Sequence, residues 1–205
     1  MPGNGCYRAC GKRTFDVIAS ATGLILLSPL FLIIAAAIKL HDNGPVFYKQ
    51  QRIGRYFKPF LLIKFRTMRT DSGGSGAQIT VQGDPRVTKT GSFLRKTKLD
   101  EIPQMINVLR GDMSIVGPRP EVGRYVEMFR GEYERILTIR PGITDYAAVE
   151  FRNEEAVLRE FDDPESGYIG TVLPRKIEHY NRYLCDAGFA TDIRLIFQTF
   201  CKIAS

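Results

Sequence analysis

Between Val17 and Ile38 the chain runs for 22 residues without a charge, VIASATGLILLSPLFLIIAAAI. As one continuous helix, rising about 1.5 Å per residue, that stretch would cross a hydrocarbon core roughly 30 Å thick. A single transmembrane helix is therefore the first reading. A signal peptide is the second, with Lys12–Arg13 ahead of the run and Ala35–Ala37 as a cleavage site. The run is long for such a segment, however, and no disulfide framework follows it. A third reading is a re-entrant helical hairpin that breaks at Ser28–Pro29, in the middle of the run. Pro29 cannot donate to the carbonyl of Ile25 and its ring crowds that turn, so a kink is expected there. The Ser28 hydroxyl can satisfy a freed carbonyl, which lets such a break be tolerated in lipid.

The flanking charges favour the hairpin. Arg8, Lys12 and Arg13 precede the run, and Lys39, Lys49, Arg52, Arg55 and Lys58 follow it. A spanning helix carries its basic excess on the cytoplasmic side only, whereas two basic flanks fit two ends returning to one anionic leaflet. A proline-kinked spanning helix stays open beside it. Residues 1–70 hold 11 Lys and Arg against 2 acids, while the remainder is close to balanced, so the net charge of +7 comes from the N-terminal third. A polyanionic partner is implied near that end, and the apolar run selects anionic membrane lipids over nucleic acid.

The four cysteines, Cys6, Cys10, Cys185 and Cys201, show no C-x-x-C spacing, and with His41 and His179 as the only histidines a zinc site is not expected. Cys201 follows an apolar helical pattern and reads as core. Cys6 and Cys10 lie in a polar N-terminal stretch, and reduced thiols facing the cytosol are the plain interpretation.

Residues 1–40 are thus expected to form a membrane hairpin, and 41–205 a separate domain lying on the membrane surface. Within the latter, short strands are predicted at Val46–Tyr48 and Phe60–Phe65, and a flexible, glycine-rich segment at Asp71–Gly76. Leu99, Ile102, Met105, Ile106 and Leu109 recur at helical spacing and predict a helix that ends before Gly111. Further helices are expected near Val122–Leu137, Arg175–Leu184 and Ile193–Ile203. The fold class is α+β: helix-rich, with few short strands and no βαβ alternation. Neither a Walker A loop nor a G-x-G-x-x-G motif is present.

Chemistry concentrates at Asp100–Glu101, at the start of the Leu99–Leu109 helix. Pro103 supports that placement, being tolerated in a first turn and damaging later. In the plain structural reading Asp100 is an N-cap and Glu101 favours the helix dipole. The surroundings suggest more. Arg95, Lys96 and Lys98 lie just upstream, and carboxylates among cations have lowered pKa values and stay ionised, as a nucleophile or Mg²⁺ ligand must. Cations also remove the repulsion that a carboxylate meets when it attacks a phosphoryl centre. Arg119 is fixed between Pro118 and Pro120, and Arg140 precedes Pro141–Gly142. Rigid backbone limits the entropy lost when a guanidinium clamps an anion, although a surface arginine in a tight turn is the commoner outcome.

Taken in order, these residues resemble the bacterial sugar transferase family, the monotopic phosphoglycosyl transferases. The resemblance covers nearly the whole chain: the apolar segment with Ser28–Pro29, Lys64–Met68 (KFRTM), Arg95–Gln104 (RKTKLDEIPQ), Asn107–Ser114 (NVLRGDMS), Gly117–Pro120 (GPRP) and Arg140–Thr144 (RPGIT). The short chain with one apolar segment is similar to the family's minimal members. The resemblance implies that Asp100 attacks the β-phosphate of a UDP-sugar, releases UMP and holds the phospho-sugar covalently. Polyprenyl phosphate, such as undecaprenyl phosphate, then takes the phospho-sugar. It further implies Mg²⁺ at Asp100 with Glu101 assisting, Arg95 on the lipid phosphate, Arg119 on the nucleotide-sugar, and Lys64 and Arg66 lining the site. Ser28–Pro29 becomes the hairpin turn, and the location the cytosolic face of the bacterial inner membrane.

One stretch departs from the family pattern. Where the family reads Gly-Trp-Ala-Gln-Val after the RPGIT motif, this chain has Asp145–Tyr146–Ala147–Ala148–Val149, and Glu150–Glu154 replaces a following Asn-Gly-Arg-Asn pattern. The change bears on sugar recognition and leaves the carboxylate chemistry untouched. Two other functions stay open on the residues alone: a catalytically silent membrane scaffold, and a lipid diphosphate hydrolase. A homodimer is equally open, since an apolar hairpin can pack on itself or on a neighbour.

Overall fold

The computed structural model describes residues 7, 11–42, 44–69, 80, 81 and 83–204. Cys6, Arg8, Cys10 and the glycine-rich Asp71–Gly76 segment lie outside them. The apolar run becomes two helices, α1 (Lys12–Leu26) and α2 (Ser28–Asp42), bent by 62° at the break. The Ser28 hydroxyl donates to the Ile25 carbonyl at 2.8 Å, so the residue expected to tolerate the break does so. Among the described residues no single helix is long and apolar enough to cross a membrane.

The two limbs have unlike faces. Ile34 and Ile38 of α2 are buried with Phe65, Leu94 and Ile102 of the body. Ile18, Ile25, Leu26, Leu32, Ile33 and Leu40 are each more than 60% exposed. At the base of α1, polar contacts fasten the pair to the body. Lys12 reaches Asp192 at 2.6 Å, Arg13 donates to the Val108 carbonyl at 2.6 Å, and Asp16 accepts from the Ile115 amide at 3.0 Å.

Strands β1 (Phe47–Ile53) and β2 (Pro59–Phe65) form an antiparallel hairpin, with Phe47 opposite Phe65 and Ile53 opposite Pro59. Then come α3 (Lys89–Lys96), a 3₁₀ turn at Leu99–Glu101 and α4 (Gln104–Arg110), closed by Gly111 at φ 93. The helix predicted from Leu99 is therefore two pieces. Its predicted apolar stripe is also not its most buried face. Gln104, Asn107 and Val108 are buried, whereas Leu109 is exposed and Met105 packs toward Gly23 of α1. Asn107 explains the difference. Its side chain accepts from the Ile63 amide at 3.0 Å and donates to the Leu61 carbonyl at 2.8 Å, so a polar clasp joins α4 to the exposed edge of β2.

Next are β3 (Ser114–Val116), α5 (Gly123–Met128), α6 (Arg130–Ile136) and β4 (Gly142–Thr144). The single helix expected over Val122–Leu137 breaks at Phe129, which leaves helical geometry and packs its ring against the core. β3 and β4 pair in parallel, Ser114 with Gly142 and Val116 with Thr144. This small crossover unit is not visible in the sequence, because three-residue strands carry no periodicity. The chain ends in α7 (Tyr146–Glu150), α8 (Glu154–Arg159), α9 (Pro164–Gly167), a π-helical turn (Tyr168–Val172), α10 (Leu173–Asp186) and α11 (Phe189–Ala204). The largest core cluster packs Val126, Tyr133 and Ile136 against Leu158, Leu173 and Tyr180. Cys201 is exposed, contrary to expectation. α11 is apolar on more than one side, so periodicity alone does not say which side is buried. Leu195 packs inward while Phe197 and Phe200 face outward with Cys201.

Close backbone contact between two motifs sets the site's geometry. A Cβ on Gly142 would lie 2.1 Å from the Gly117 amide nitrogen and 2.4 Å from its carbonyl oxygen. Gly142→Ala is therefore expected to cost more than about 2 kcal/mol in a denaturant titration, because backbone cannot move aside as a flexible side chain would. A variant as stable as the parent would contradict this contact.

Candidate active site

Asp100 and Glu101 are presented by the 3₁₀ turn between α3 and α4. Lys98 initiates that turn in the left-handed region, φ 57 and ψ 15, a conformation that costs a non-glycine residue about 1 kcal/mol and reverses the chain direction sharply. Asp100 makes no capping contact, so the plain N-cap reading does not hold. α4 begins only at Gln104, with Pro103 at the cap position.

The two acids have opposite environments. Arg119 grips Glu101 with both terminal nitrogens, one reaching Oε2 at 3.0 Å and the other reaching Oε1 more closely. Lys64, from the end of β2, donates to Oε1 at 2.9 Å. Burial alone would raise the pKa of Glu101, but Arg119 and Lys64 outweigh it and hold the carboxyl well below its usual range. Lys64 is lowered by its own burial, which Glu101 only partly offsets. Arg119 is raised, Glu101 outweighing the cost of burial.

Asp100 is buried, and among the described residues its Oδ1 has no hydrogen-bond partner. Burial pushes its pKa up, with Lys64 pulling the other way and Glu101 adding to the rise. The expectation that both acids sit low thus holds for Glu101 and fails for Asp100. Lys64 and Arg119 direct their hydrogen bonds to Glu101 instead.

Among the described residues, no cluster of three His, Cys, Asp or Glu could cage a metal. Mg²⁺ does not require such a cluster, since it binds through one or two carboxylates plus substrate phosphates and retained waters. A buried carboxylate oxygen without a donor, such as Asp100 Oδ1, fits such an ion.

The remaining predicted residues divide. Arg95 reaches Thr67 Oγ1 at 3.2 Å, Thr80 Oγ1 at 3.4 Å and Glu155 at 2.9 Å, and its charge bears on Asp100. Arg66 is buried with its guanidinium against Gly44, where an added Cβ would lie 1.9 Å from a terminal nitrogen. Arg140 is not brought to the pair. Its Nε donates to the Gly111 carbonyl at 2.8 Å, at the far end of α4, where Arg13 also caps the helix. Ser28 and Pro29 stand at the bend between α1 and α2.

Three residues of the surroundings are not among the predicted site residues, although Asp145 and Glu154 fall in the stretch that departs from the family pattern. Asp145 is fully buried, accepting from the Arg119 amide at 3.0 Å and from the Ala148 amide at 2.6 Å. It thereby caps α7 and anchors the backbone of the arginine that clamps Glu101. An Asp three residues before a helical amide is a cap pattern, the only hint available from sequence. Glu154 and Lys176 pair at 2.6 Å beside this layer, and Glu154 feels Arg119 and Lys98.

Fold and charge together define an α+β domain with a carboxylate-centred, cation-lined site at the root of a bent apolar helix pair. The chain belongs to the bacterial sugar transferase family, whose model matches residues 7–205. It is 38% identical over 191 residues to the UDP-N-acetylgalactosamine-undecaprenyl-phosphate N-acetylgalactosaminephosphotransferase of Aeromonas hydrophila, covering 92% of this chain and 42% of that protein. It is 37% identical over 195 residues to the UDP-glucose:undecaprenyl-phosphate glucose-1-phosphate transferase of Escherichia coli, covering 93% of this chain and 39% of that one. Against the exopolysaccharide production protein ExoY of Rhizobium meliloti the identity is 42% over 169 residues, covering 73% and 74%. The chain spans about two fifths of the length of the first two relatives.

Proposed function

We propose that this chain transfers a phospho-sugar from a UDP-sugar to polyprenyl phosphate, undecaprenyl phosphate in bacteria, giving polyprenyl diphosphate sugar and UMP. The observation that carries the reading is the division of labour in the acid pair. Glu101 is locked between Arg119 and Lys64, while Asp100 keeps a buried carboxylate oxygen with no partner. A carboxylate not occupied by hydrogen bonds is the better nucleophile of the two. In the first step an Asp100 oxygen bonds to the β-phosphorus of the donor as the bond from that phosphorus to UMP breaks. In the second, a phosphate oxygen of the lipid bonds to the same phosphorus and the Asp100 carboxylate is released. Arg119 and Lys64 hold Glu101 and line the path of the diphosphate, and Arg95 takes the lipid phosphate. Mg²⁺ held by Asp100 would neutralise charge on the diphosphate.

Residues 1–40 act in this reading as a re-entrant membrane hairpin, and 41–205 as the catalytic domain on the cytosolic face of the inner membrane. The large apolar side chains exposed on α1 and α2, six of them by more than 60%, support insertion, since so much exposed apolar surface is costly in water. The bend and the Ser28 hydrogen bond support a turn within the bilayer. Cys6 and Cys10 provide thiols for a topology test in a chain whose Cys185 and Cys201 are replaced by serine. An impermeant maleimide should label them from the cytosolic side only, and Pro29→Ala should move a fraction to the opposite side. Unchanged one-sided labelling in Pro29→Ala would mean that Pro29 does not set the topology.

Product analysis tests the activity. With UDP-sugar, Mg²⁺ and polyprenyl phosphate, transfer releases UMP and makes a sugar-linked lipid. A hydrolase would release free phosphate, and a scaffold would release nothing.

A further inference from the structure

Lys176 of α10 is a buried cation that the chemistry above does not use, its side chain only 4% exposed. Its ammonium lies 2.6 Å from Glu154 Oε2, 3.3 Å from the Tyr168 hydroxyl and 3.8 Å from Glu121 Oε1. Glu121 is held in place by others. It accepts from the Tyr168 hydroxyl at 2.6 Å and from Arg52 at 3.2 Å. Glu154 is different. It is the first residue of the six-residue α8, its side chain is 31% exposed, and its charge is felt by Arg119 and shared with Lys98. One partly exposed carboxylate therefore stands between the cations around Glu101 and a lysine buried behind them.

The same face of α10 offers a second group. Tyr180, one turn on from Lys176, is fully buried, and among the described residues its hydroxyl has no hydrogen-bond partner. A buried hydroxyl without an acceptor is costly unless something completes it. An apolar residue in place of Lys176 would fill the interior without the cost of desolvating a charge. The retained lysine, the unpaired hydroxyl and the removable carboxylate together describe an anion position occupied by the protein's own side chain.

We propose that Lys176 is a further phosphate-binding residue of the donor site, and that Glu154 is its exchangeable counter-ion, displaced when the diphosphate of the nucleotide-sugar enters. The inference rests on the donor proposed above. A diphosphate carries more negative charge than one carboxylate and can bridge several of these cations at once, so it competes for them with an advantage. Displaced Glu154 returns to water at small cost, being already part exposed. Glu121 remains 3.8 Å from Lys176, so the lysine never loses every counter-charge. The exchange also gives a role to Glu154, which lies where the sequence departs from the family pattern.

Calorimetric titration of the full, detergent-solubilised chain with UDP in the presence of Mg²⁺ tests this without turnover. Glu154→Gln removes the competitor, so UDP should bind about three- to tenfold tighter, the range expected for losing one partly exposed ion pair. Lys176→Gln should weaken UDP binding by about tenfold. Because Lys176→Gln can also disturb the fold, the gain in Glu154→Gln is the decisive arm. Loss of structure does not produce tighter binding. If the parent chain binds UDP and Glu154→Gln binds it no tighter, with or without a lower melting temperature, Glu154 merely neutralises Lys176 and the exchange is overturned. If the parent chain binds no UDP, the donor reading falls and this inference falls with it.

Discussion

Asp100→Asn is expected to abolish turnover, by at least about 10⁴-fold, while leaving the fold intact. The two halves of that expectation have separate origins. Loss of turnover follows from replacing the only carboxylate of the pair whose oxygen is free to form a bond; an amide oxygen is a far poorer nucleophile toward phosphorus. Retention of the fold follows from the environment of the side chain. Asp100 Oδ1 makes no hydrogen bond, and burial raises the pKa of the acid. A group whose pKa is raised on folding favours the folded state when neutral, and that contribution is lost as pH rises through its folded value. Above that value the ionised Asp100 opposes folding, and asparagine, which carries no charge at any pH, should fold at least as well. Thermal melting together with a UMP-release assay checks both halves. An inactive variant that also melts much lower would indicate a structural role, and an active one would sink the nucleophile assignment.

Glu101→Gln should behave in the opposite way, losing stability as well as activity. Arg119 and Lys64 both direct their hydrogen bonds to this carboxylate, and all three side chains are largely buried. Removing the acid strands two cations, and breaking a buried pair in this manner costs about 3–5 kcal/mol. The effect has a pH signature. Because the folded carboxyl is held well below its ordinary value of 4.5, its contribution is fully present above pH 4.5. It is lost as pH falls through the depressed folded value. Urea titrations between neutral and acid pH should show the gap between parent and variant narrowing only at the acid end. A variant as stable as the parent at neutral pH would mean that the clamp contributes nothing net.

The contrast between these neighbours was only partly legible in the sequence. That Asp100–Glu101 lies among cations follows from Arg95, Lys96 and Lys98 on the adjacent chain, and the ordered motifs place Lys64 and Arg119 in the same site. Which acid takes the cations depends on the left-handed turn at Lys98, and nothing in the residue type announces it. Arg140 illustrates the opposite error. Its setting before Pro141–Gly142 matches that of Arg119 between two prolines, yet it caps the far end of α4, because local rigidity says nothing about direction.

Elements with a strong local signal are legible in the sequence, and those set by distant contacts are not. The bend at Ser28–Pro29, strand β2 and the two C-terminal helices follow from proline chemistry, strand formers and apolar spacing, whereas β1 runs to Ile53, well past the predicted Val46–Tyr48. The parallel β3–β4 pair and the break at Phe129 depend on contacts between distant segments, such as Gly142 against Gly117, which no local pattern encodes. Asp145 and Glu154 stand out in the sequence only as part of the departure from the family pattern, and their contacts are not legible for a related reason. Their partners, the Arg119 amide and Lys176, are far away in sequence.

The covalent role of Asp100 is tested most directly by intact-protein mass spectrometry after incubation with Mg²⁺ and a panel of UDP-sugars, without a lipid acceptor. The account predicts a mass gain of one phospho-sugar for one donor of the panel, absent in Asp100→Asn and discharged when polyprenyl phosphate is added. No adduct with any donor, combined with UMP release once polyprenyl phosphate is present, would contradict it and point to direct transfer between the two substrates.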